Sequence, residues 1–272
     1  MTAKFKISCL ILLSASLCLL LCACRTDSTE SVPTGPLIQA EKSPQQLLEE
    51  QPVDDTHDAF LVDTGGKLGT LLVTAELGME SKGEFGLRDI TFTAWNPAEM
   101  EQPIQTFTEE FMMGVAPEFH DVVDANFDGF QDFGYLFHAG NQPNYWRYWL
   151  WDEEYGQFKY CASLAEISQA GFDAERQVIT GWARNSGAGD GIATFHRWVD
   201  GELRCVRRIK TYCPWEEPTT VSVEDWLDGE LQQVYYEEFP WPGDEPEGLE
   251  AWRQAAYAWH DLDYHGEPTE EN

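Results

Sequence analysis

The sequence is short of positive charge. Its 272 residues contain 17 Lys and Arg against 48 Asp and Glu, which gives a formal net charge of −31 at pH 7. Nucleic acids and anionic lipid surfaces are bound mainly through Lys and Arg, and a strongly negative surface repels both. The composition therefore excludes nucleic acid as a partner. It favours divalent cations and basic proteins, which such a field attracts most strongly at low ionic strength.

The sequence also lacks the common catalytic motifs. It contains no HExxH zinc motif, no GxSxG serine elbow and no CxxC pair. Its acidic residues are so numerous that any pair chosen as a glycosidase-like acid and base is uninformative. The segment HDLDYH offers His260, Asp261, Asp263 and His265 as ligands of a transition metal, but no second shell is evident around them. The sequence therefore predicts a protein that is not an enzyme.

The N-terminus has the composition of an export signal. Two lysines precede an apolar run over residues 7–23, which is short for a membrane span. The run ends in LCAC, residues 21–24, which resembles a bacterial lipobox, the motif in which a signal peptide is cleaved before a lipidated cysteine. This resemblance implies a signal peptide at 1–23, lipidation of Cys24, and an extracytoplasmic protein anchored to a membrane of the bacterial cell envelope. An ordinary secretory signal or an N-terminal anchor helix is the alternative, and either also exports the protein.

Few cysteines follow the predicted cleavage point. Cys161, Cys205 and Cys213 are an odd-numbered set in a compartment that can oxidise thiols. One disulfide can form among them, and the sequence does not determine which pair forms it. We expect the remaining thiol to be a small buried side chain rather than a nucleophile.

The rest of the chain divides into three segments of different composition. Residues 24–58 are rich in Ser, Thr, Pro, Gln and Glu and poor in apolar residues, which predicts a flexible tether. Residues 59–240 carry short runs rich in Thr, Val, Ile and aromatic residues between turn-forming clusters, the pattern of β-strands. Residues 241–272 form an acidic C-terminal extension.

Repeated hairpins predict the architecture of the central segment. WVDGELRCV, from Trp198, and WLDGELQQV, from Trp226, are near copies, and Asp-Gly between apolar runs indicates a tight antiparallel hairpin. YWLWDEEYGQFKY reads as a relative with a longer loop. We therefore predict an all-β fold, an antiparallel hairpin meander that is propeller-like. The rings of Trp146, Trp149 and Trp151 are expected to lie mostly in the core, with one strand face left to stack on sugars or on a protein.

The C-terminal extension carries a helical pattern. Leu249, Trp252, Ala256 and Trp259 recur at helical spacing and predict a short amphipathic helix. We expect this aromatic stripe to pack on the parent domain, because an exposed apolar stripe is costly in water. Capture of a partner by the helix is the alternative.

The segment DANFDGFQD, residues 124–132, is the strongest functional signal. Asp124, Asn126, Asp128 and Asp132 occupy positions 1, 3, 5 and 9 of an acidic loop in which Gly follows the third of them. Calcium prefers several hard oxygen ligands, and alternate residues of a tightly turning chain can direct their oxygens at one centre, with the carbonyl of Phe130 at position 7 as a further ligand. Position 12 is Tyr135, and the flanks are strand-like, so this is not an EF-hand. The alternative is an Asx-rich turn that folds without metal.

The loop and its surroundings resemble calcium-loop lipoproteins of bacterial envelopes that have a propeller-like β-fold, one branch of which inhibits lysozyme-type peptidoglycan hydrolases. The similarity runs in order through PIQTF, VDANFDGFQDFGYLF, NQPNYWRYWLW, GQFKYCASLAEI, GFDAERQVITGWAR and FHRWVDGELRCV, about half of the chain. It implies that Asp124, Asn126, Asp128 and Asp132 bind Ca²⁺ and that the protein is a membrane-anchored binding protein, more specifically an inhibitor of a basic cell-wall hydrolase. The alternatives are a module that binds wall glycan or peptidoglycan, and a scaffold lipoprotein of the envelope.

Overall fold

A computed structural model describes residues 42–80, 82, 86–112, 120–139, 144–185, 190–214, 216–241 and 246–266. The chain divides into two units, residues 1–40 and 41–272; the first lies outside the described residues, and the second is compact. The predicted signal peptide and Cys24 therefore also lie outside them. No helix in the described ranges is long and apolar enough to cross a membrane.

The described strands form three antiparallel sheets, in each of which neighbouring strands are consecutive in sequence. Sheet 1 contains β1 (His57–Asp63), β2 (Thr70–Leu77), β3 (Arg88–Trp95) and β4 (Gln105–Phe111). Sheet 2 contains β5 (His120–Val123), β6 (Asp132–Ala139), β7 (Asn144–Asp152) and β8 (Gln157–Tyr160), and the short helix α2 (Ala162–Ala165) follows β8. Sheet 3 contains β9 (Gly171–Asp173), β10 (Val178–Arg184), β11 (Gly191–Val199), β12 (Glu202–Tyr212), β13 (Thr219–Leu227) and β14 (Glu230–Phe239). The predicted all-β antiparallel meander is confirmed, and these strands close no barrel.

The two Asp-Gly sequences form the turns that they predict. Asp200 and Gly201 join β11 to β12 with φ of 53° and 78°, and Asp228 and Gly229 join β13 to β14 with φ of 52° and 95°. Positive φ at both central residues matches the twist of the flanking strands, and Asp and Gly are among the residues that tolerate it. The local sequence is therefore sufficient to place these two hairpins.

Successive sheets pack face to face through aromatic and aliphatic side chains. Between sheets 1 and 2, Phe92 of β3 contacts Phe133 and Trp149 of sheet 2, with ring centroids 5.5 and 5.1 Å apart. The opposite face of sheet 2 places Tyr148 in a second core with Ile179 of sheet 3. Sheet 2 is thus covered on both faces. This burial explains why Tyr148, Trp149 and Trp151 are nearly inaccessible, as predicted for most of the aromatic residues of β7.

A short helix covers the outer face of sheet 1. Helix α1 (Pro44–Glu49) begins with a capping box, in which the Ser43 side chain accepts from the Gln46 amide and the Gln46 side chain accepts from the Ser43 amide. Its Leu47 packs with Ala59 and Leu72 of the sheet. The folded region therefore begins before residue 59, inside the segment 24–58 that the sequence predicts to be a tether. The reason is that one cap and one buried leucine order a stretch whose composition is mainly polar.

The end of the predicted tether is also part of the fold. Asp58 lies in β1 and is buried, its carboxylate oxygen 2.7 Å from His120 Nδ1 and 3.3 Å from the Tyr135 hydroxyl that donates to it. These contacts join sheet 1 to sheet 2. Residues 24–41 of the predicted tether lie outside the described part of the chain.

The C-terminal helix covers the outer face of sheet 3. Helix α3 (Pro246–Ala258) buries Trp252 and Ala256, followed by buried Trp259, while Leu249 is half-buried against the same core. The Trp252 indole N–H donates to the Thr220 carbonyl at 3.1 Å. The predicted helix is confirmed, and its apolar stripe packs on the parent domain.

An ion pair fixes the end of this helix to the sheet. Arg207 of β12 is 2% exposed and binds Asp225 of β13 through two N–H···O contacts of 2.6 and 2.7 Å. Its remaining nitrogen donates to the carbonyls of Trp259 and Asp261, at 3.1 and 2.7 Å. One guanidinium therefore joins two strands to the segment that follows α3.

The three cysteines after the predicted cleavage point are free thiols. Cys161, Cys205 and Cys213 are each half-buried. Burial raises the pKa of the Cys205 and Cys213 thiols, which disfavours the reactive thiolate. The structure thus joins none of them in a disulfide.

Candidate metal centre

The acidic loop connects β5 to β6 at one edge of sheet 2. Phe127 adopts φ of 59° and Gly129 adopts φ of 93°, so the chain turns twice within the loop. A Cβ at Gly129 would meet nothing within 4 Å, so it is the backbone angle and not crowding that favours glycine there. The turns bring the side chains at positions 1, 3 and 5 to the inner side of the loop, where they contact its own amides.

These side chains accept hydrogen bonds from the backbone of the loop. The two oxygens of Asp124 accept from the amides of Asp128 and Gly129 at 3.0 and 2.9 Å. Asn126 Oδ1 accepts from the Asp128 amide at 3.2 Å, and Asp128 Oδ1 accepts from the Phe130 amide at 2.9 Å. Such contacts order an Asx-rich turn by themselves, and a carboxyl oxygen that accepts one hydrogen bond keeps a second lone pair for a further contact.

Asp132 has a different environment. It is fully buried at the start of β6, and its two oxygens accept from the amides of Ala125 and Trp151, each at 2.8 Å. The pKa of this carboxyl is raised to about 7: burial is the main cause, the two amide hydrogen bonds oppose it, and the negative charges of Asp128 and Asp124 add to it. Asp132 thus ties the loop to β7, and its ionised form is costly in this environment.

The side-chain oxygens of the loop are the type that binds a hard cation, but in the structure they accept hydrogen bonds from backbone amides. Three carboxylates and one amide supply oxygen donors, the ligand type that Ca²⁺ prefers, and the charges of two carboxylates already act on the third. Within the described ranges, however, no three or more His, Cys, Asp or Glu side chains are grouped so that they could hold a metal ion. Phe130, predicted to contribute its carbonyl, places its ring against the core between sheets 1 and 2.

The loop is held by all three sheets. On the side of sheet 1, the Gln131 amide donates to the Asp63 carbonyl at 2.9 Å, and Gln131 Oε1 accepts from the Asp63 amide at 2.7 Å. Asp132 provides the contact with β7 of sheet 2. On the side of sheet 3, the Trp198 indole N–H donates to the Ala125 carbonyl at 3.0 Å. The ends of the loop are therefore fixed independently of any ligand.

Sequence reasoning missed Asp63, Gln131 and Trp198 as partners of the loop. Gln131 lies inside the motif but carries no charge, and Asp63 ends a strand far away in sequence. Trp198 belongs to the repeated hairpin, and its near copy holds Trp226 at the same position. Nothing in the sequence distinguishes these two tryptophans, although only the first contacts the loop.

Replacement of Trp198 by Phe is expected to lower the free energy of unfolding by about 0.5–1.5 kcal/mol, because a smaller aromatic ring remains and the hydrogen bond to the Ala125 carbonyl is lost. Trp226→Phe is the matched control, since Trp226 is 37% exposed in the equivalent hairpin and makes no described hydrogen bond through its indole N–H. Urea denaturation of both variants measures the difference. Equal stability of the two variants would show that the Trp198 contact does not support the loop.

A groove lies beside the loop. It has a volume of about 640 Å³, and Asn126, Asp128 and Trp198 form the side that belongs to the loop and its support. Lys159 and Tyr160 of β8 line the same groove. Tyr160 is 46% exposed. An exposed aromatic ring and a carboxylate of the loop, that of Asp128, therefore line the same groove.

The HDLDYH segment follows α3 and is used in packing. The His260 ring lies edge-on to Phe195, with centroids 5.4 Å apart, and burial lowers its pKa so that it is neutral at pH 7. The carbonyl of Asp261 accepts from Arg207. These residues, together with Asp263 and His265, form no metal-binding group in the part of the chain that the structure describes.

Comparison with known protein families found none that matches the chain, and comparison with curated protein sequences found no match either. Among solved structures, a Xanthomonas protein described as related to a type IV secretion system is similar to this chain. The TM-score is 0.45 and the sequence identity 15%, over 65% of this chain and 93% of the other. A similarity of this size carries no inference about function.

Proposed function

We propose that this protein is a calcium-binding lipoprotein of the bacterial cell envelope that acts by binding a partner and not by catalysis. The observation that carries the proposal is the loop at 124–132, in which four oxygen-bearing side chains surround one turn and whose ends are fixed by all three sheets. Asp124, Asn126, Asp128 and Asp132, with the Phe130 carbonyl, would hold the ion. Bound calcium supplies the positive charge that offsets the repulsion among the three carboxylates.

The membrane anchor is the second part of this proposal. It rests on the lipobox-like LCAC sequence, in which lipid on Cys24 would hold the domain at the extracytoplasmic surface of a membrane. A single lipid chain gives only weak membrane binding, so the diacylglycerol of a bacterial lipoprotein is suited to stable anchoring. Metabolic labelling with a lipid precursor, compared between the natural chain and Cys24→Ser, tests it.

Calcium is expected to raise the melting temperature of residues 25–272. A ligand that binds only the folded state at 100 times its Kd adds about 2.7 kcal/mol to the free energy of unfolding. Asp128→Asn removes one charged ligand at an exposed position and should reduce the shift. Asp228→Asn is the matched control, because it removes the same charge from a hairpin turn outside the loop and Asn tolerates the positive φ there. A melting temperature that calcium and chelator leave unchanged would remove the metal from the proposal.

The more specific function that we propose is inhibition of a lysozyme-type cell-wall hydrolase. It is supported by the resemblance of the sequence to calcium-loop lipoproteins, one branch of which inhibits such hydrolases, by the net charge of −31, and by the groove between the loop and β8. Acidic residues would steer a basic enzyme toward the protein, and loops beside the groove would occlude its cleft. No chemical step by this chain is required.

Residues 25–272 are expected to inhibit at least one enzyme of a panel of lysozyme-type hydrolases in calcium, and to inhibit it less after chelation. The association rate constant should fall as salt is raised, because the attraction between opposite charges is screened. Turnover of peptidoglycan measures the first effect, and stopped-flow binding measures the second. Absence of inhibition over the whole panel, in a preparation that binds calcium, would contradict the inhibitor function while leaving the metal site intact.

Binding of wall glycan is the second candidate function. The observation that favours it is the exposed ring of Tyr160 at the edge of the groove, since an aromatic face can stack on a sugar. The rings of Trp149 and Trp151 are buried and do not serve this purpose. Sedimentation with purified peptidoglycan, compared between the natural chain and Tyr160→Ala, tests this candidate. A scaffold function, the third candidate, would have to use a surface other than the buried apolar stripe of α3.

A further inference from the structure

A cavity lies between α3 and the face of sheet 3 that the helix covers. Its volume is about 390 Å³, within the range of small-molecule sites. The helix contributes Trp252, Ala256 and Tyr257, and the strands contribute Trp182 and Phe195. It is separate from the loop at 124–132 and from the groove beside it, with which it shares no lining residue.

Five of the residues that line the cavity have aromatic side chains. Trp182, Phe195, Trp252, Tyr257 and His260 all line it. Aromatic faces and edges form favourable contacts with a planar ring at centroid distances of about 4.5–7 Å. The His260 imidazole is neutral because burial lowers its pKa. The cavity is therefore suited to an aromatic body.

The polar groups of the cavity differ in how they are satisfied. Thr180 donates to the Gly171 carbonyl, and the Thr211 hydroxyl contacts the backbone of Gly191 as donor and acceptor. The side-chain nitrogen Nε2 of Gln169, in contrast, is buried and has no hydrogen-bond partner among the described residues. A buried donor without a partner costs about 1–3 kcal/mol, so a ligand oxygen that accepts from it would be favoured.

The backbone conformation of Gln169 also indicates a ligand site. Its φ is 50°, an unusual angle for a residue with a Cβ, and its backbone N–H donates to the Asn144 carbonyl at 2.9 Å. Strain of this kind persists where the surroundings enforce it, and it is concentrated at ligand sites. Gln169 thus lines the cavity at a strained backbone position, and its side-chain nitrogen has no hydrogen-bond partner among the described residues.

Arg253 supplies a positive charge at the same cavity. It is exposed on α3, lines the cavity and forms no ion pair with a described residue. Five other described arginines, in contrast, pair with a carboxylate in this chain of 48 acidic and 17 basic residues. A guanidinium binds a carboxylate through two parallel hydrogen bonds, which makes an anion the matching ligand group.

We propose that this cavity is a binding site for a small aromatic carboxylate, whose ring lies among the aromatic side chains and whose oxygens bind Arg253 and the amide of Gln169. The site is independent of calcium and of any hydrolase. Three features that meet at one place carry it: an aromatic cavity, a buried donor without a hydrogen-bond partner among the described residues, and an arginine that pairs with no described carboxylate. A neutral or cationic ring would leave the arginine unmatched.

The test uses 2-naphthoate and its uncharged analogue 2-naphthamide as probes, with isothermal titration calorimetry on residues 25–272. We expect 2-naphthoate to bind at least about tenfold more tightly than 2-naphthamide, since a charge-assisted pair contributes about 1.5–3 kcal/mol. Arg253→Gln should abolish this preference. Arg204→Gln is the matched control, because it makes the same charge change on sheet 3 at a residue that does not line the cavity.

A second variant separates the two polar contacts. Gln169→Met keeps the length of the side chain and removes the donor, so both probes should bind more weakly while the preference for the carboxylate remains. Three results would each overturn the proposal: no binding of 2-naphthoate at millimolar concentration, equal affinity of the two probes for the natural chain, or a preference that Arg253→Gln leaves unchanged.

Discussion

Replacement of Arg207 by Ala is expected to lower the free energy of unfolding by about 3–5 kcal/mol. The change leaves Asp225 as a buried carboxylate without its partner and deprives the carbonyls of Trp259 and Asp261 of their donor. Removal of one member of a buried pair is costly because the other charge stays out of water. Guanidinium chloride denaturation of the natural chain and the variant measures the effect.

Arg208, the next residue of β12, provides the control. Arg208 lies on the opposite face of β12 and pairs with Glu224 at 2.5 Å, but it is 35% exposed. Its replacement by Ala should cost less than about 1 kcal/mol, because exposed ion pairs contribute little. If Arg207→Ala and Arg208→Ala were equally destabilising, the ion pair would not be what holds α3 on sheet 3.

The carboxyl of Asp132 is expected to make the protein less stable as pH rises from about 4 to 7 in the presence of a calcium chelator. Its pKa is about 7 in the folded chain against 3.8 for an ordinary Asp. Between these values the folded state keeps a proton that the unfolded state has lost, so stability decreases with increasing pH. The loss is complete above pH 7 and amounts to about 4 kcal/mol, at 1.36 kcal/mol for each pKa unit.

The natural chain must be compared with Asp132→Asn, since other groups titrate in the same window. Burial lowers the pKa of His196 to about 4, which makes stability rise between about pH 4 and 6.5 and opposes the effect of Asp132. The asparagine variant retains His196 and lacks the carboxyl. Denaturation curves at several pH values therefore give the contribution of Asp132 as the changing difference between the two proteins.

Calcium should reduce this dependence on pH. A cation near the loop favours the ionised carboxyl and offsets the cost that burial and the charges of Asp124 and Asp128 impose. The stabilisation by calcium is consequently expected to be larger at pH 8 than at pH 5 and to be nearly absent in Asp132→Asn. Parallel stability curves for the natural chain and the variant, with and without calcium, would contradict the assignment of Asp132.

The features that could be predicted from the sequence are those that local residues determine. The Asp-Gly turns at 200–201 and 228–229 need only positive φ at two positions. The helix of the C-terminal extension needs apolar residues at regular spacing, and Trp252, Ala256 and Trp259 provide them. The acidic loop was recognisable because its turn residues and its oxygen donors lie within nine positions.

The features that could not be predicted depend on residues far apart in the chain. Helix α1 has a capping box that its sequence displays, but its stability requires Leu47 to reach Ala59 and Leu72. Asp132 has the same chemistry as the other loop aspartates, and only its burial against β7, where it accepts from the Trp151 amide, makes its pKa and its hydrogen bonds different. The cavity under α3 depends on how far the helix covers sheet 3, which no local pattern encodes.

The consecutive order of the strands has a consequence for the way the chain reaches its fold. Each sheet pairs strands that are neighbours in sequence, and low sequence separation between contacts favours rapid folding. A chain that is synthesised from its N-terminus can therefore complete sheet 1 and then sheet 2 before the last strands appear. The loop at 124–132 receives its final contact only when the β11–β12 hairpin delivers Trp198 to the Ala125 carbonyl. The loop therefore reaches its final conformation only after the β11–β12 hairpin has formed.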